Sequence, residues 1–484
     1  MSGRNHRNVR GRKRGLEVSA SLQGVPVIVG QIVQCEIVGL THQGEGVGRY
    51  EGYTLFVHEA LPGEIVRAEV VSVGKTYGRA RMIELVARSA ERVDAPCSIY
   101  EACGGCQLQH LSYEAQLRWK RQQVVDSLQR IGKLQDVGDG EGEGVIVHPV
   151  IGMDDPWRYR NKAQVPIGSG EAGLIGGFYE LGSNEIVDMD RCLIQQEPNE
   201  ELVRIVKEAA RMLDISAYNR ETGRGLLRHV VVRHAVTTGQ QMVVLVTNGH
   251  DIPLAQEWVS LIRERAPHVV SICQNVNTAA TSVVFGDTTR VLWGEEVIYD
   301  EIDGLQFAIS ARSFFQVNPV QTEKLYSTAV EYANLTGEET VVDAYCGIGT
   351  ITLFLARYAR RVYGVEIIPE AIEDARRNAL LNGITNAEFE VGAAEVVMPR
   401  WQSQGIDPDV IVVDPPRKGC DPALIATMLE LWPARIVYVS CDPATLARDL
   451  RLLADGGYRV VEVQPVDMFP HTGHVECCVS LVRK

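Results

Sequence analysis

Short runs of apolar and β-branched residues, separated by glycines, fill the chain from residue 25 to residue 88. These runs cover residues 25–29, 34–38, 54–57 and 65–71. Gly44, Gly46 and Gly48, and later the pair Pro62-Gly63, interrupt them. Several short strands at a spacing of about ten residues predict a small, OB-like β-barrel.

Residues 89–310 combine helix and strand patterns in a less regular order. Apolar positions predict an amphipathic helix over residues 113–131, with Arg118, Lys120 and Arg121 decorating its apolar face. Further helices are predicted near residues 198–213 and 253–266, and strands at residues 230–234, 241–246 and 282–285. The pattern predicts a central α+β domain with a mostly antiparallel sheet.

From about residue 311 the pattern changes to alternating strands and helices. Strands are predicted at residues 340–344, 362–366, 410–414 and 435–440, with helices at 350–358, 369–382 and 422–431. This alternation predicts a Rossmann-like α/β domain with a parallel sheet covered on both faces. Ligands in such folds bind at the carboxyl ends of the strands, where Asp343, Glu366, Asp414 and Cys441 all fall.

Length and charge narrow the class of protein. A chain of 484 residues is too long for one hydrophobic core, so two to four domains are expected. Because it has neither a long apolar run nor a signal-peptide pattern, a cytoplasmic protein without a membrane span is expected. The net charge of −14 counts against a nucleic-acid partner, but six cations and no acid lie in residues 4–14. Residues 1–24 are therefore predicted to be a flexible basic arm that can lie along phosphates.

A glycine-rich turn between strand and helix at residues 343–350 predicts an adenosine cradle. Gly347 and Gly349 allow the backbone to approach a ligand closely, and Glu366 ends the next strand, where an acid can accept both ribose hydroxyls. Because this loop has two glycines rather than the three of a dinucleotide fingerprint, S-adenosylmethionine is favoured over a nicotinamide cofactor. A nicotinamide oxidoreductase remains an alternative.

A thiol and a carboxylate downstream of this loop suit methyl transfer to a pyrimidine carbon. That reaction needs a nucleophilic cysteine and a base, because carbon 5 of uracil is itself a weak nucleophile. Cys441 is predicted at a strand end in a proline-containing turn, and Glu476 on the last strand. Other cysteines are expected to be small buried hydrophobic residues, namely Cys273, Cys346, Cys420, Cys477 and Cys478.

Taken together, these motifs resemble the RNA uracil-C5 methyltransferase family, and in particular its TRAM- and iron–sulfur-containing 23S rRNA branch. The resemblance extends over most of the chain. It includes residues 44–50 and 61–64, which are similar to a TRAM RNA-binding domain, and the segments 313–318, 414–419, 440–443 and 469–476. It implies that Cys441 is the nucleophile and Glu476 the base. It also implies cofactor contacts from Gln316, Tyr345, Gly347, Glu366 and Asp414, and a base pocket lined by Phe314.

A compact cysteine cluster begins at Cys97. Cys103 and Cys106 follow it with two glycines between them, and Cys192 is the best candidate for a fourth ligand. Four thiolates suit zinc or an iron–sulfur cluster, and the spacing alone leaves both open. The resemblance favours a 4Fe-4S cluster, with a structural or RNA-contacting role.

The resulting prediction is a monomeric enzyme that methylates a uridine of 23S rRNA at carbon 5. Its regions are the arm at residues 1–24, a TRAM domain at 25–88, a central domain with the iron–sulfur site at 89–310 and a methyltransferase domain at 311–484. Alternatives are the same chemistry on tRNA, and an iron–sulfur RNA-binding or assembly protein whose methylase domain is inactive. Asp442 replaces an Asn frequent in the family, and its charge is expected to raise the pKa of Cys441.

Overall fold

The computed structural model describes residues 24–138, 144–171 and 173–484. It divides into two compact units, of which the first ends at Arg92 and the second begins at Val93. The predicted basic arm, apart from Gly24, lies outside the described residues. No helix in the described ranges combines the length and apolarity that crossing a membrane requires.

The first unit is a closed five-stranded barrel, as its strand pattern predicts. Its strands are β1 (Ile32–Leu40), β2 (Gly46–Tyr50), β3 (Tyr53–His58), β4 (Ile65–Val73) and β5 (Tyr77–Ala87), and they close in the order β1-β2-β3-β5-β4. Alternate residues such as Leu55, Val57 and Val66 are fully buried in its core. Gly46 is required for closure, because a Cβ there would lie 2.6 Å from the carbonyl oxygen of Ala60.

The strand predicted over residues 25–29 is wrong. Pro26 has no N–H to donate to a ladder, and the chain turns before β1 instead. In this turn the N–H of Gln31 donates to the carbonyl oxygen of Ile28 (3.1 Å), and the N–H of Ile28 donates to the side-chain oxygen of Gln31 (3.0 Å). Gly30 completes the turn at a φ of 84°.

The second unit begins with α1 (Tyr113–Arg130), which confirms the predicted amphipathic helix, and with the short β6 (Ile146–Val147). A seven-stranded sheet follows in the order β13-β12-β11-β10-β7-β8-β9. Its strands are β7 (Lys162–Gly170), β8 (Gly173–Tyr179), β9 (Ile186–Asp188), β10 (Leu227–His234), β11 (Gln241–Thr247), β12 (Val269–Val276) and β13 (Thr288–Gly294). Only β11 and β12 pair in parallel within it, which confirms a mostly antiparallel sheet. Helices α2 (Glu197–Met212) and α3 (Ala255–Arg265) share a core with it.

The strand predicted over residues 282–285 is also wrong, and β13 forms further along the chain. Two asparagine side chains take up the carbonyl groups that a strand ladder would use. Asn277 donates through Nδ2 to the carbonyl oxygens of Val283 (2.8 Å) and Val284 (3.0 Å), while Asn275 donates to that of Gly286 (3.0 Å). Local side-chain bonding thus replaces the predicted extended pairing.

The rest of the chain builds the predicted α/β sheet after a hairpin of β14 (Val297–Ile302) and β15 (Leu305–Ser310). Eight strands lie in the order β18-β17-β16-β19-β20-β22-β21-β6. The remaining elements are α4 (Pro319–Ala333), β16 (Thr340–Ala344), α5 (Thr350–Ala356), β17 (Arg361–Glu366), α6 (Pro369–Leu381), β18 (Ala387–Val391), α7 (Ala394–Ser403), β19 (Val410–Val413), α8 (Pro422–Leu431), β20 (Arg435–Ser440), α9 (Pro443–Asp455), β21 (Tyr458–Val466) and β22 (Glu476–Arg483). The strands from β16 to β20 are parallel, and successive residues such as Val341 and Val342 enter the two cores on opposite faces.

Part of the region between residues 89 and 310 packs on this sheet. Strand β6 pairs with β21, and Val124 and Leu128 of α1 share a core with Leu446 of α9. The proposed boundary at residue 310 stays a prediction, because residues on both sides of it contribute to one compact unit.

Candidate active site

Strand register brings Cys441 and Glu476 to the same edge of the sheet. Ser440, the last residue of β20, pairs with Cys477 of the antiparallel β22. Cys441 is the next residue after β20 and Glu476 the residue before Cys477, so the two continue the register opposite each other. Asp414 follows β19, the parallel neighbour of β20, and therefore lies at the same edge.

Glu476 is a buried carboxyl group with an altered acidity. Its side chain is only 4% exposed, and burial raises its pKa to about 8. The charge of Asp414 raises this pKa further, whereas that of Arg417 opposes the shift. A carboxyl group tuned to neutral pH is suited to proton transfer.

The Cys441 thiol holds its proton in this environment. Burial raises its pKa to about 12, and the charges of Glu476 and Asp414 act in the same direction. Asp442, the charge that the sequence indicated, instead caps α9, where its carboxylate accepts from the N–H groups of Ala444 and Thr445 at 2.9 Å. A reactive thiolate at Cys441 is thus a minor species before ligands bind.

Two residues of this site, Arg417 and His474, received no role from the sequence. The positive charge of Arg417 opposes the rise in the pKa of both Cys441 and Glu476. Its Nη2 lies 3.4 Å from Nε2 of His474. Burial, followed by the charge of Arg417, lowers the pKa of His474 to about 4. Their positions within the motifs at residues 414–419 and 469–476 were the signal that could have identified them.

The glycine-rich loop has the strained backbone of a ligand cradle. Tyr345, Gly347 and Gly349 adopt φ values of 67°, 54° and 84°, and α5 begins at the next residue. A Cβ on Gly349 would lie 3.2 Å from both Ala375 and the ring of Phe389, and the φ of 84° would strain any other residue, so glycine is favoured there. The loop therefore presents its backbone to the strand-end edge of the sheet.

Three carboxylates, those of Asp343, Glu366 and Asp414, lie near the strand ends at this loop. Asp343 is 1% exposed, and its Oδ2 accepts from Thr352 at 2.5 Å, but its buried Oδ1 has no partner among the described residues. Burial raises its pKa to about 7, with further contributions from Asp414 and Glu366. An orphaned acceptor and a local excess of negative charge fit a ligand with donor groups and positive charge, such as S-adenosylmethionine.

Gln316 and Phe314, two predicted site residues in the segment 313–318, differ in burial. Gln316 is buried, and its carbonyl oxygen accepts from Nδ2 of Asn161 at 3.1 Å. Phe314 is 66% exposed, and its place in a base pocket stays a prediction. Tyr326, which no motif marked, is fully buried, and its hydroxyl lies 3.4 Å from Oγ1 of Thr350. Burial, followed by the charge of Asp414, raises the pKa of this tyrosine.

All four predicted ligand cysteines line one cavity of about 370 Å³. Its lining includes Cys97, Cys103, Cys106 and Cys192, together with Arg160, Arg191, Arg417, Phe469, Thr472 and His474. All eleven cysteines are free thiols, but these four are partly exposed, whereas the cysteines predicted to be small buried residues are buried. In the part of the chain that the structure describes, no group of three or more His, Cys, Asp or Glu side chains is arranged to hold a metal ion.

Helix α1 fastens the cysteine segment to the segment that precedes Glu476. Gln116 donates through Nε2 to the carbonyl oxygens of Leu108 (3.0 Å) and Leu111 (2.8 Å), and its Oε1 accepts from the N–H of His471 (3.0 Å). The carbonyl oxygen of His471 in turn accepts from the N–H of Gln107 (2.9 Å). The cysteine cluster and the approach to Glu476 are therefore parts of one packed structure.

The same helix contributes a buried ion pair to this structure. Lys120 and Asp467 are both fully buried, and Nζ of Lys120 lies 2.6 Å from Oδ1 of Asp467. Tyr113 donates to the other carboxylate oxygen at 3.0 Å. Removing one partner of such a pair typically costs about 3–5 kcal/mol, because the remaining charge stays buried.

Comparisons with known proteins agree with this geometry. Residues 288–484 match the tRNA (Uracil-5-)-methyltransferase family model, and residues 26–83 match the TRAM domain. An uncharacterized RNA methyltransferase of Halalkalibacterium halodurans is 58% identical over 96% of this chain and 100% of its own length. Another from Bacillus cereus is 54% identical over 95% of this chain and 98% of that relative.

A solved structure extends the similarity to the fold of both units. The tRNA (uracil-54, C5)-methyltransferase of Pyrococcus abyssi, in complex with S-adenosyl-L-homocysteine, has a TM-score of 0.73 and 30% identity. The match covers 93% of this chain and 100% of that one. The chain belongs to the RNA uracil-5 methyltransferase family, whose enzymes depend on S-adenosylmethionine.

Proposed function

We propose that the protein methylates carbon 5 of a uridine in RNA. The observation that carries this proposal is the register of β20 and β22, which sets Cys441 opposite Glu476 at the sheet edge that also holds the glycine-rich loop. A thiol, a carboxyl group tuned to about pH 8 and a cofactor cradle are the groups that this reaction requires.

The residues divide the reaction between them. The Cys441 thiolate adds to carbon 6 of uracil and forms a C–S bond, which makes carbon 5 nucleophilic. S-adenosylmethionine, when bound, supplies the electrophilic methyl group. Glu476 then removes the proton from carbon 5, and the electron pair released re-forms the ring double bond as the C–S bond breaks. Gln316, Tyr345, Gly347, Glu366 and Asp414 would contact the cofactor together with Asp343, while Phe314 would line the base pocket.

The pKa of Glu476 predicts the pH dependence of the reaction. A base with a raised pKa is mostly protonated below about pH 8, so kcat for the release of methylated RNA, which requires proton removal from carbon 5, should rise as pH increases through that value. Steady-state rates at saturating RNA between pH 6 and pH 9.5 test this. A rate that is already maximal at pH 6 would contradict it.

The substrate class is proposed as 23S rRNA. The TRAM barrel supports an RNA partner, and the spacing of the four cysteines resembles that of the rRNA branch of the family. The second candidate is tRNA, and the similar Pyrococcus abyssi enzyme favours it. Incubating the purified protein with unmodified 23S rRNA and tRNA separately, followed by mass spectrometry of 5-methyluridine, distinguishes them. Methylation of tRNA alone would overturn the rRNA assignment.

We further propose that Cys97, Cys103, Cys106 and Cys192 hold a 4Fe-4S cluster. Support comes from their convergence on one cavity as free thiols. The cluster would hold the segment of Cys97, Cys103 and Cys106 against Cys192, and so stabilise the cavity wall that α1 also supports. A radical role is not proposed, because Cys441 already provides a route for the reaction.

Metal analysis of protein purified without oxygen tests the cluster. About four irons and four sulfides per chain are expected for the wild type, and Cys103→Ser should lose most of them. Cys35→Ala, which alters a buried thiol of the barrel, is the matched control and should keep the full content. Stoichiometric zinc without iron would contradict the proposal.

A further inference from the structure

One face of β7 carries a row of polar side chains toward the cysteine cavity. Arg160 and Gln164 line this cavity, and Lys162, between them on the same face of the chain, lies next to it without lining it. The opposite face enters the core beneath α2 through Ala163 and Val165. On the neighbouring strand β10, Arg233 is the direct pairing partner of Lys162.

The two arginines are anchored by neutral groups. Arg233 is buried, and its Nη2 donates to the carbonyl oxygens of Ala311 (3.3 Å) and Ser313 (2.6 Å). Nε of Arg160 donates to the side-chain oxygen of Gln195 at 3.2 Å, in the amide orientation that satisfies both groups. Neither contact neutralises a positive charge.

Lys162 is partly buried between these two arginines. In the described part of the chain no ion pair joins it to a carboxylate, and the charges that act on it are those of Arg233 and Arg160. Burial, followed by the charges of Arg233 and Arg160, lowers its pKa to about 7. Three positive charges held close together without a carboxylate between them destabilise the fold. A functional role for these side chains would explain why this arrangement is kept.

Apart from the four cysteines, the charged side chains that line the cavity beside this row are arginines. Arg160, Arg191 and Arg417 are among its lining residues, and no Asp or Glu in the described residues lines it. The chain as a whole has a net charge of −14, so this absence of acids is a local departure from its composition. Such a cavity attracts anions.

We propose that Lys162, together with Arg160, binds a backbone phosphate of the RNA strand next to the target uridine. This inference rests on the proposed function, because a uridine in structured RNA reaches a buried cleft only by rotating out of its stack. Its flanking phosphates must then follow the base to the mouth of the site. Arg233 anchors the segment that bears Phe314 and Gln316, so a phosphate at Lys162 lies beside the proposed base pocket.

A bound phosphate would also determine the protonation state of Lys162. In the free protein, Arg233 on β10 and Arg160 before β7 face the lysine and favour its neutral form. A bound phosphate reverses this balance and keeps the ammonium protonated. RNA affinity should therefore fall as pH rises through about 7, where the free lysine loses its proton.

Binding of unmodified RNA by three full-length variants across a range of salt concentrations tests the site. For Lys162→Met, we expect the slope of log affinity against log salt to decrease by about 1 and affinity at 0.1 M salt to fall about tenfold. Lys162→Arg should retain the slope and lose the pH dependence near 7. Lys133→Met, which removes an exposed lysine after α1, should match the wild type.

Two results would overturn the inference. An unchanged salt slope in folded Lys162→Met would show that no phosphate contact is made there. Loss of iron from this variant with unchanged RNA binding would instead assign the positive charges to balancing the thiol site. Because binding is measured without turnover, this outcome is independent of whether the wild type methylates uridine, which tests the proposed function separately.

Discussion

Replacing Cys441 with alanine is expected to abolish methyl transfer while leaving cofactor binding intact. The variant loses the thiol that we propose adds to carbon 6, so a rate loss of about 10⁴-fold or more is expected. Among the described residues, the hydrogen bonds of Asp343 and Gly349 in the cofactor cradle are to Thr352, Cys346 and Leu353 rather than to Cys441. Methyl transfer to RNA, measured alongside calorimetric binding of S-adenosylmethionine, checks both parts.

Cys273→Ala is the matched control for this prediction. It removes a buried thiol from β12, away from the strand-end edge, and should keep wild-type turnover. Turnover retained by Cys441→Ala would rule out the nucleophile assignment. Loss of cofactor binding along with turnover would mean that the substitution damaged the cradle rather than the chemistry.

Replacing Glu476 with glutamine is expected to trap the enzyme on its RNA. The thiol can still add and the ring can still be methylated, but the proton on carbon 5 has no base to accept it, so the C–S bond cannot break. Turnover should fall by about 10²–10⁴-fold, while a protein–RNA adduct accumulates that survives denaturing electrophoresis. The amide keeps the size of the carboxyl group and removes only its basicity.

The comparison variant is Glu462→Gln on β21, whose carboxylate lies 2.7 Å from His148. It should turn over normally and leave no stable adduct. Absence of an adduct with Glu476→Gln, when its cofactor and RNA binding are intact, would count against Glu476 as the base.

The α/β half of the fold and its strand-end residues follow from local sequence patterns. Parallel strands buried on both faces appear as continuous apolar runs, and their carboxyl ends meet at one edge, so Asp343, Glu366, Asp414 and Cys441 could be placed together without coordinates. The two mistaken strands, at residues 25–29 and 282–285, are apolar runs in which a proline or asparagine side chains override the extended pairing.

Contacts between distant segments could not be predicted from the sequence. Lys120 was expected to decorate the face of α1, yet it is buried against Asp467, 347 residues further along the chain. The effect of Arg417 on the pKa values of Cys441 and Glu476 likewise depends on the packing of β19, β20 and β22. The pairing of Lys162 with Arg233 depends on the register of two strands that are far apart in sequence, and no local pattern encodes such a register.

Release of tritium from carbon 5 of uridine tests the central claim most directly. RNA labelled with tritium at that position is incubated with the purified protein, with and without S-adenosylmethionine. Carbon 5 methylation predicts cofactor-dependent release of tritium into water in step with the formation of 5-methyluridine. Methylated RNA that keeps all of its tritium would place the methyl group on another atom and contradict the assignment of Cys441 and Glu476.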